Sequence, residues 1–335
     1  MRGVDRRGDL TATGMVSGLA VGLLRFVWVL MLAMQGQVAN ADGIGHVTFR
    51  RLDGHVFRSG IQVDSTPQDV SAVLDTLAPG GVDEWLATTR DGSRLLLNTQ
   101  RWDPECVGWG CLAVVNAELS SGRAVHAGIG AGVVHAEGFS AIAQDGRIVF
   151  PQSGGPHALD LWRLDPSGND WAAPVLLTRE SQYQDNTEPA LSPDESRVVF
   201  DCGDQPYAAA GTALCEVGMD GSGLRVVLGP TGVQPEMTGA QALDHPTYAS
   251  DGSIVFSADR GGTQVWRIGA SGGAPMLVAS AFKNDNRPCV LPNGSIASQW
   301  LSADAYLLKV MLPTDRTFVT LTVGDMAAET LGCGG

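Results

Sequence analysis

The sequence predicts an all-β chain in which one four-stranded antiparallel sheet is copied six times around an axis. Three observations carry this expectation. Short β-branched runs alternate with turn residues, the turns recur at near-regular spacing, and glycine is abundant at 43 of 335 residues, as turn-rich β proteins require. A single such sheet cannot bury both faces, so the copies must cover one another.

The clearest copy is residues 191–225. Ser192-Pro193-Asp194-Glu195-Ser196 is turn chemistry, because proline presets φ and aspartate bonds its own backbone. Arg197-Val198-Val199-Phe200 follows as a strand, and Asp220-Gly221-Ser222-Gly223 is a second turn. Equivalent turns stand at Asp91-Gly92, Asp145-Gly146, Asp251-Gly252 and Asn293-Gly294. With Glu195 as the third of five in chain order, their second residues are separated by 54, 49, 57 and 42 residues, near the period of a four-stranded β-propeller blade. A third strand follows each turn, as in Leu161-Trp162-Arg163-Leu164 and Val265-Trp266-Arg267-Ile268, and a fourth closes each unit, as in Val226-Val227-Leu228. The matched Trp162 and Trp266 predict packing between blades.

Five units are complete. Residues 46–79 supply His46-Val47-Thr48-Phe49, a turn at Asp53-Gly54 and His55-Val56-Phe57, and residues 325–335 resemble a first strand. The expectation is a sixth blade completed by the C-terminal strand, which removes exposed sheet edges. Ala72-Val73-Leu74 is read as its last strand, although Thr66 followed by Val70, Val73, Leu74 and Leu77 also fits a capped helix.

Residues 1–41 read as an export signal. Arg2, Arg6, Arg7 and Arg25 precede or interrupt apolar sequence, Phe26 opens an apolar run of nine, and Ala39-Asn40-Ala41 is a cleavage site before Asp42. Nine residues fall short of the ~20 that span a bilayer. A signal anchor starting at Met15 is the other reading. The expected division is therefore a signal peptide at 1–41 and a propeller at 42–335, in a periplasmic or secreted chain with no stable membrane span and a monomeric state. Net charge is −14, and −16 beyond residue 41. Such a surface repels phosphate backbones and excludes nucleic acid as a partner.

The units resemble the TolB-like propeller repeats, also called PD40 or WD40-like β-propeller repeats. The resemblance covers about residues 81–324 and is closest over 188–223, where Ser192-Pro193-Asp194 keeps part of the Ser-Pro-Asp-Gly signature before a strand ending in Phe200. It implies architecture and is nearly silent on function. The namesake carries an α/β domain before its propeller; about 40 residues lie between the expected cleavage site and the first full repeat here, so its role in the Tol system is not implied.

Six cysteines in an exported chain predict bridges. The repeat register pairs Cys202 with Cys215 across neighbouring strands and Cys106 with Cys111 around the matching connection in another unit. Cys289 and Cys333 remain, and their bridge would fasten the C-terminal strand. Cys106-x4-Cys111 is looser than a zinc knuckle and no histidine follows at ligand spacing.

In a propeller the loops entering the first strands line one mouth of the central channel. Those loops carry Asp83-Glu84, His135-Ala136-Glu137, Asp185 with Glu188, Asp244-His245 and Asp285, with Asp325 completing the ring. Clustered carboxylates hold hard cations or raise one another's pKa, so this rim is a candidate for Ca²⁺ or for a cationic or polar ligand. The competing reading is that these acids cap strand starts in every blade. His135, His245 and Glu137 are the candidates for catalysis. Trp102 and Trp109, in the loop closed by Cys106 and Cys111, offer a contact surface for carbohydrate or protein. No G-x-S-x-G, H-E-x-x-H or phosphate-loop motif occurs. The sequence thus favours a scaffold that binds a protein or a small polar or carbohydrate ligand. The alternative is a propeller lyase or lactone hydrolase using a divalent cation at the channel mouth.

Overall fold

The computed structural model describes residues 45–334, apart from 52, 63–64, 104–105, 107–109, 128–131, 206–210, 232, 234–241, 260–262, 280–284, 302–305, 314–315, 317 and 322–327. Among them, six four-stranded antiparallel sheets stand as the blades of a propeller. From the axis outward, blade 1 runs Ala328–Gly334, His46–Arg51, Val56–Gly60 and Gln68–Asp69. Blades 2 to 6 take the chain in order. Their inner strands are Asp83–Thr88, Ala141–Ile142, Asp185–Leu191, Ala242–Tyr248 and Asp285–Val290. Each inner strand contacts the next, from blade 1 round to blade 6 and back.

The closing strand joins blade 1 in antiparallel register, with Val47 opposite Cys333 and Phe49 opposite Leu331. Head and tail of the chain therefore share one sheet, as the leftover pieces at the two ends predicted. The core has six parts, and each lies between two blades. One apolar cluster joins Val47 and Phe49 of blade 1 to Leu308 and Val310 of blade 6. Another joins Val199 and Leu214 of blade 4 to Leu243 and Phe256 of blade 5. The remaining four sit at the other boundaries in turn. Trp162 and Trp266 pack against two of these clusters, as their matched positions predicted. Phe150, Phe200 and Phe256, which close the second-strand runs of blades 3, 4 and 5, are completely buried. Each buried phenyl ring adds about 3 kcal/mol of apolar burial to its boundary.

Blade 1 corrects one expectation. Residues 72–74 are not a strand; the outer strand is the two-residue Gln68–Asp69, and a helix, α1 (Ser71–Leu77), follows it. The reason is spacing. Val70, Leu74 and Leu77 recur at helical intervals and pack into the boundary between blades 1 and 2, while Val73 stays exposed. The helix starts later than a cap at Thr66 would place it, with Val70 at the N-cap and no side-chain cap. Asp69 Oδ1 instead accepts from the Ser71 amide, and Ser71 Oγ accepts from the Val56 amide, which ties the helix to the sheet.

All three expected disulfides form. Cys202 faces Ala213 and Cys215 faces Phe200, so that pair is diagonal across its two strands. Cys289 in the inner strand of blade 6 reaches Cys333 in the closing strand, with Cα atoms 5.9 Å apart.

Candidate functional site

The inner strands of all six blades enclose a cavity of about 190 Å³ on the propeller axis. Its floor follows from a local irregularity. The pairing of the inner strand shifts register between Thr187 and Ala190 in blade 4, between Asp244 and Thr247 in blade 5, and between Asn286 and Cys289 in blade 6. Each bulge holds a non-glycine residue in the left-handed region: Glu188 at φ 55°, His245 at 53° and Arg287 at 51°. A proline follows each one. That conformation costs roughly 1–2 kcal/mol per residue, and strain of this kind concentrates at functional sites.

Glu188, His245 and Arg287 each stand seven residues before the second residue of their blade's turn, and the same count gives Trp85 and Phe139 in blades 2 and 3. Contacts join the five. Trp85 and Phe139 pack with ring centroids 5.4 Å apart. Phe139 meets His245 edge-on at 5.5 Å, and the Arg287 guanidinium lies 5.4 Å from the Phe139 ring centroid. Arg287 Nε donates to His245 Nε2 at 3.1 Å. Glu188 Oε1 is also 3.1 Å from Nε2, and Glu188 Oε2 accepts from the His245 amide at 2.7 Å. Above this floor the wall is mostly apolar, with Ile142, Pro189, Pro246, Pro288 and Val290, and it runs toward Arg90 and Glu195 at the turn end.

Electrostatics single out the floor. Burial, then the Asp244 charge, pushes the Glu188 carboxyl up to about 8, opposed by Arg287. Burial pushes Asp244 up to about 6. Asp201 lies behind them, bonded to Thr187 Oγ1 at 2.9 Å, and burial followed by the charges of Glu188, Asp244 and Asp185 drives it well above the usual carboxylate range. Burial, with Arg287 alongside, keeps His245 well below its ordinary value, so its ring is neutral at pH 7.

The structure distributes the sequence-predicted residues unevenly. Asp83, Asp185, Asp244 and Asp285 lie in the inner strands themselves and not in the loops that enter them. Asp83 is fully buried against Arg101, which donates Nε and Nη2 to it at 3.0 and 2.9 Å. Glu84 pairs with Arg50 at 3.7 Å and joins blade 2 to blade 1. Glu137 accepts from Ser153 at 2.6 Å, and His135 pairs by backbone with Cys111. Asp244 accepts from Thr212 Oγ1 at 3.3 Å. Among the described residues of the predicted rim, Glu188 and His245 line the cavity. Asp325 and Trp109 fall outside the described residues. Trp102 packs over Gly122, where a Cβ would meet its ring at 2.7 Å, so it covers its own blade. Sequence reasoning passed over Trp85, Phe139 and Arg287 as site residues, although their fixed distance from the turn was available. Among the described residues, no three His, Cys, Asp or Glu side chains form a set able to hold a metal.

Comparison with known proteins agrees with the architecture. The chain is similar to TolB from Acinetobacter baumannii, with a TM-score of 0.63 at 12% identity over 88% of this chain and 67% of that one. The fold is a TolB-like propeller. A putative TolB from Agrobacterium tumefaciens aligns at 17% identity with a TM-score of 0.57, covering 85% of this chain and 90% of that one. A chain of a nidogen/laminin complex aligns at 8% identity with a TM-score of 0.58, covering 87% and 98%. At such identities the likeness concerns the fold alone. No family model and no curated protein matches the sequence.

Proposed function

We propose that this chain is an exported propeller that acts as a binding scaffold, with its surface at the channel mouth and the blade loops. Its partner is a protein, or a small polar or carbohydrate ligand. One observation carries this: six repeated strands converge on a cavity whose floor alone breaks the repeat, with Glu188, His245 and Arg287 held in strained conformations at matching places. Loops and irregularities on a rigid frame are where binding groups collect. The nidogen/laminin complex is an example of the same architecture engaged with another protein.

Export rests on the signal-like residues 1–41 and on three disulfides, which persist in oxidising compartments. No helix among the described residues is long and apolar enough to cross a membrane. The mature protein is then a periplasmic or secreted monomer beginning at Asp42. N-terminal sequencing of the exported protein tests that start; an uncleaved chain in the membrane fraction contradicts it. Capture from envelope fractions tests binding. One dominant partner is expected, lost when Arg90→Glu and Glu195→Arg reverse the charges at the open end of the cavity. A rise in Tm on adding millimolar Ca²⁺, together with turnover of a lactone, would favour the enzyme alternative.

A further inference from the structure

We propose that the groove between blades 2 and 3 binds a carboxylate carried on a small apolar body. A comparison of blade 2 with blade 4 leads there. In blade 4, Val199 stands opposite Glu216, and Glu216 opposite Arg225. Arg197 lies two residues before Val199, so Arg197, Glu216 and Arg225 share one face of the sheet. Arg225 donates Nε and Nη2 to Glu216 Oε2 at 2.9 and 2.7 Å, and Arg197 Nη1 donates to the same oxygen at 3.4 Å. Tyr248 Oη of blade 5 donates to Glu216 Oε1 at 2.6 Å. One carboxylate thus sits inside a two-arginine pincer.

Blade 2 has the same pincer without the carboxylate. Leu96 stands opposite Val114, and Val114 opposite Arg123. The register therefore gives Arg94 for Arg197, Val114 for Glu216 and Arg123 for Arg225. On the neighbouring blade Ile142 takes the place of Tyr248, each four residues before the second residue of its turn. Arg94, Arg123, Val114 and Ile142 all line a groove of about 390 Å³. Arg123 is exposed and Arg94 half-buried, so solvent reaches both. Trp171 fixes Arg123, whose guanidinium lies 4.4 Å from a Trp171 ring centroid, while Trp171 Nε1 donates to the Gly146 carbonyl at 3.1 Å. Stacking covers the guanidinium face and leaves its N–H edge to an acceptor. Gly146 makes room for Arg94, since a Cβ there would meet Arg94 Nη1 at 2.8 Å. Among the described residues no carboxylate pairs with either arginine. Asp145, on the same lining, is held by Arg147 Nε at 2.7 Å. In a chain of 36 acidic and 22 basic residues, such an arginine pair is a place for an incoming anion. The ligand carboxylate takes the place of Glu216, and Val114 and Ile142 face its carbon body.

The test titrates the mature protein at low salt with isocaproate, isocaproamide, inorganic phosphate and acetyl-glycyl-leucine, using calorimetry. Isocaproate is expected to bind at least about tenfold more tightly than its amide or phosphate. Acetyl-glycyl-leucine distinguishes the source: equal binding assigns a peptide terminus and weaker binding a free acid, and both support the site. Val114→Glu supplies the carboxylate from within, as blade 4 does, and is expected to abolish binding. Arg94→Gln with Arg123→Gln is expected to weaken isocaproate at least about tenfold. If Val114→Glu does not fold, the glutamine pair and the wild-type series still decide. Equal binding of acid and amide, tighter binding of phosphate, no binding at millimolar concentration, or unchanged binding in the glutamine pair overturns the proposal. Partner capture through the channel is scored separately, so either site can fail alone.

Discussion

The two ends of each inner strand obey different rules. At the turn, four of five blades place glycine in a left-handed conformation: Gly92, Gly146, Gly252 and Gly294. Seven residues earlier, the same five blades carry Trp, Phe, Glu, His and Arg. The turn repeats because each blade must reverse its chain in the same space. The earlier position does not repeat because its five side chains meet one another near the axis, where identical residues would repel or collide. Sameness therefore reports the frame, and difference reports the site.

The largest predicted effects lie in the frame. Asp83→Ala takes the fully buried carboxylate from Arg101, which keeps Asp75 and the Ala78 carbonyl as partners, and is expected to cost about 3 kcal/mol in denaturant unfolding. Cys289→Ser with Cys333→Ser opens the clasp on the closing strand. By chain entropy this removes roughly 4 kcal/mol, with the loss confined to oxidising conditions. A double mutant as stable as the oxidised parent would show that blade 1 closes without its clasp.

Smaller effects are expected at the site. The Glu188 carboxyl is raised from 4.5 to about 8 in the fold, so ionising it opposes folding. Its contribution is complete below about pH 4.5 and is lost as pH rises toward 8. His245 is depressed from 6.5 and acts in the opposite sense, losing stability as pH falls below that value. Glu188→Gln is expected to remove about 1–2 kcal/mol of the decline between pH 5 and pH 8, read from Tm against pH. An unchanged slope would mean that Asp201 and Asp244 carry the titration. The smallest effect belongs to one copy of the turn. Asp194 accepts from Ser192 Oγ at 2.6 Å and from Ser196 Oγ at 2.8 Å, and Asp194→Ala is expected to cost about 1 kcal/mol.

The same contrast explains what the sequence disclosed. Blade number, ring closure and all three disulfide pairs were legible because turns at 92, 146, 195, 252 and 294 give a register in which strand neighbours can be counted. Helix α1 was misjudged because blade 1 is assembled from both ends of the chain and has no complete copy of itself to align. The rim acids attracted attention as repeated charges, yet Asp83 serves Arg101 inside its blade. Trp85, Phe139 and Arg287 escaped because a search for similarity discards the column where the copies disagree. Their convergence depends on the bulges at Glu188, His245 and Arg287, and only the following prolines hinted at those.

The most direct test is a long-range ¹H–¹⁵N spectrum of the histidine side chains near neutral pH. His245 is predicted to be neutral, with its proton on Nδ1 and Nε2 resonating as the unprotonated acceptor for Arg287 Nε, which can only donate. A proton on Nε2, or a doubly protonated ring, would contradict the convergence of these three blades on one hydrogen-bonded floor.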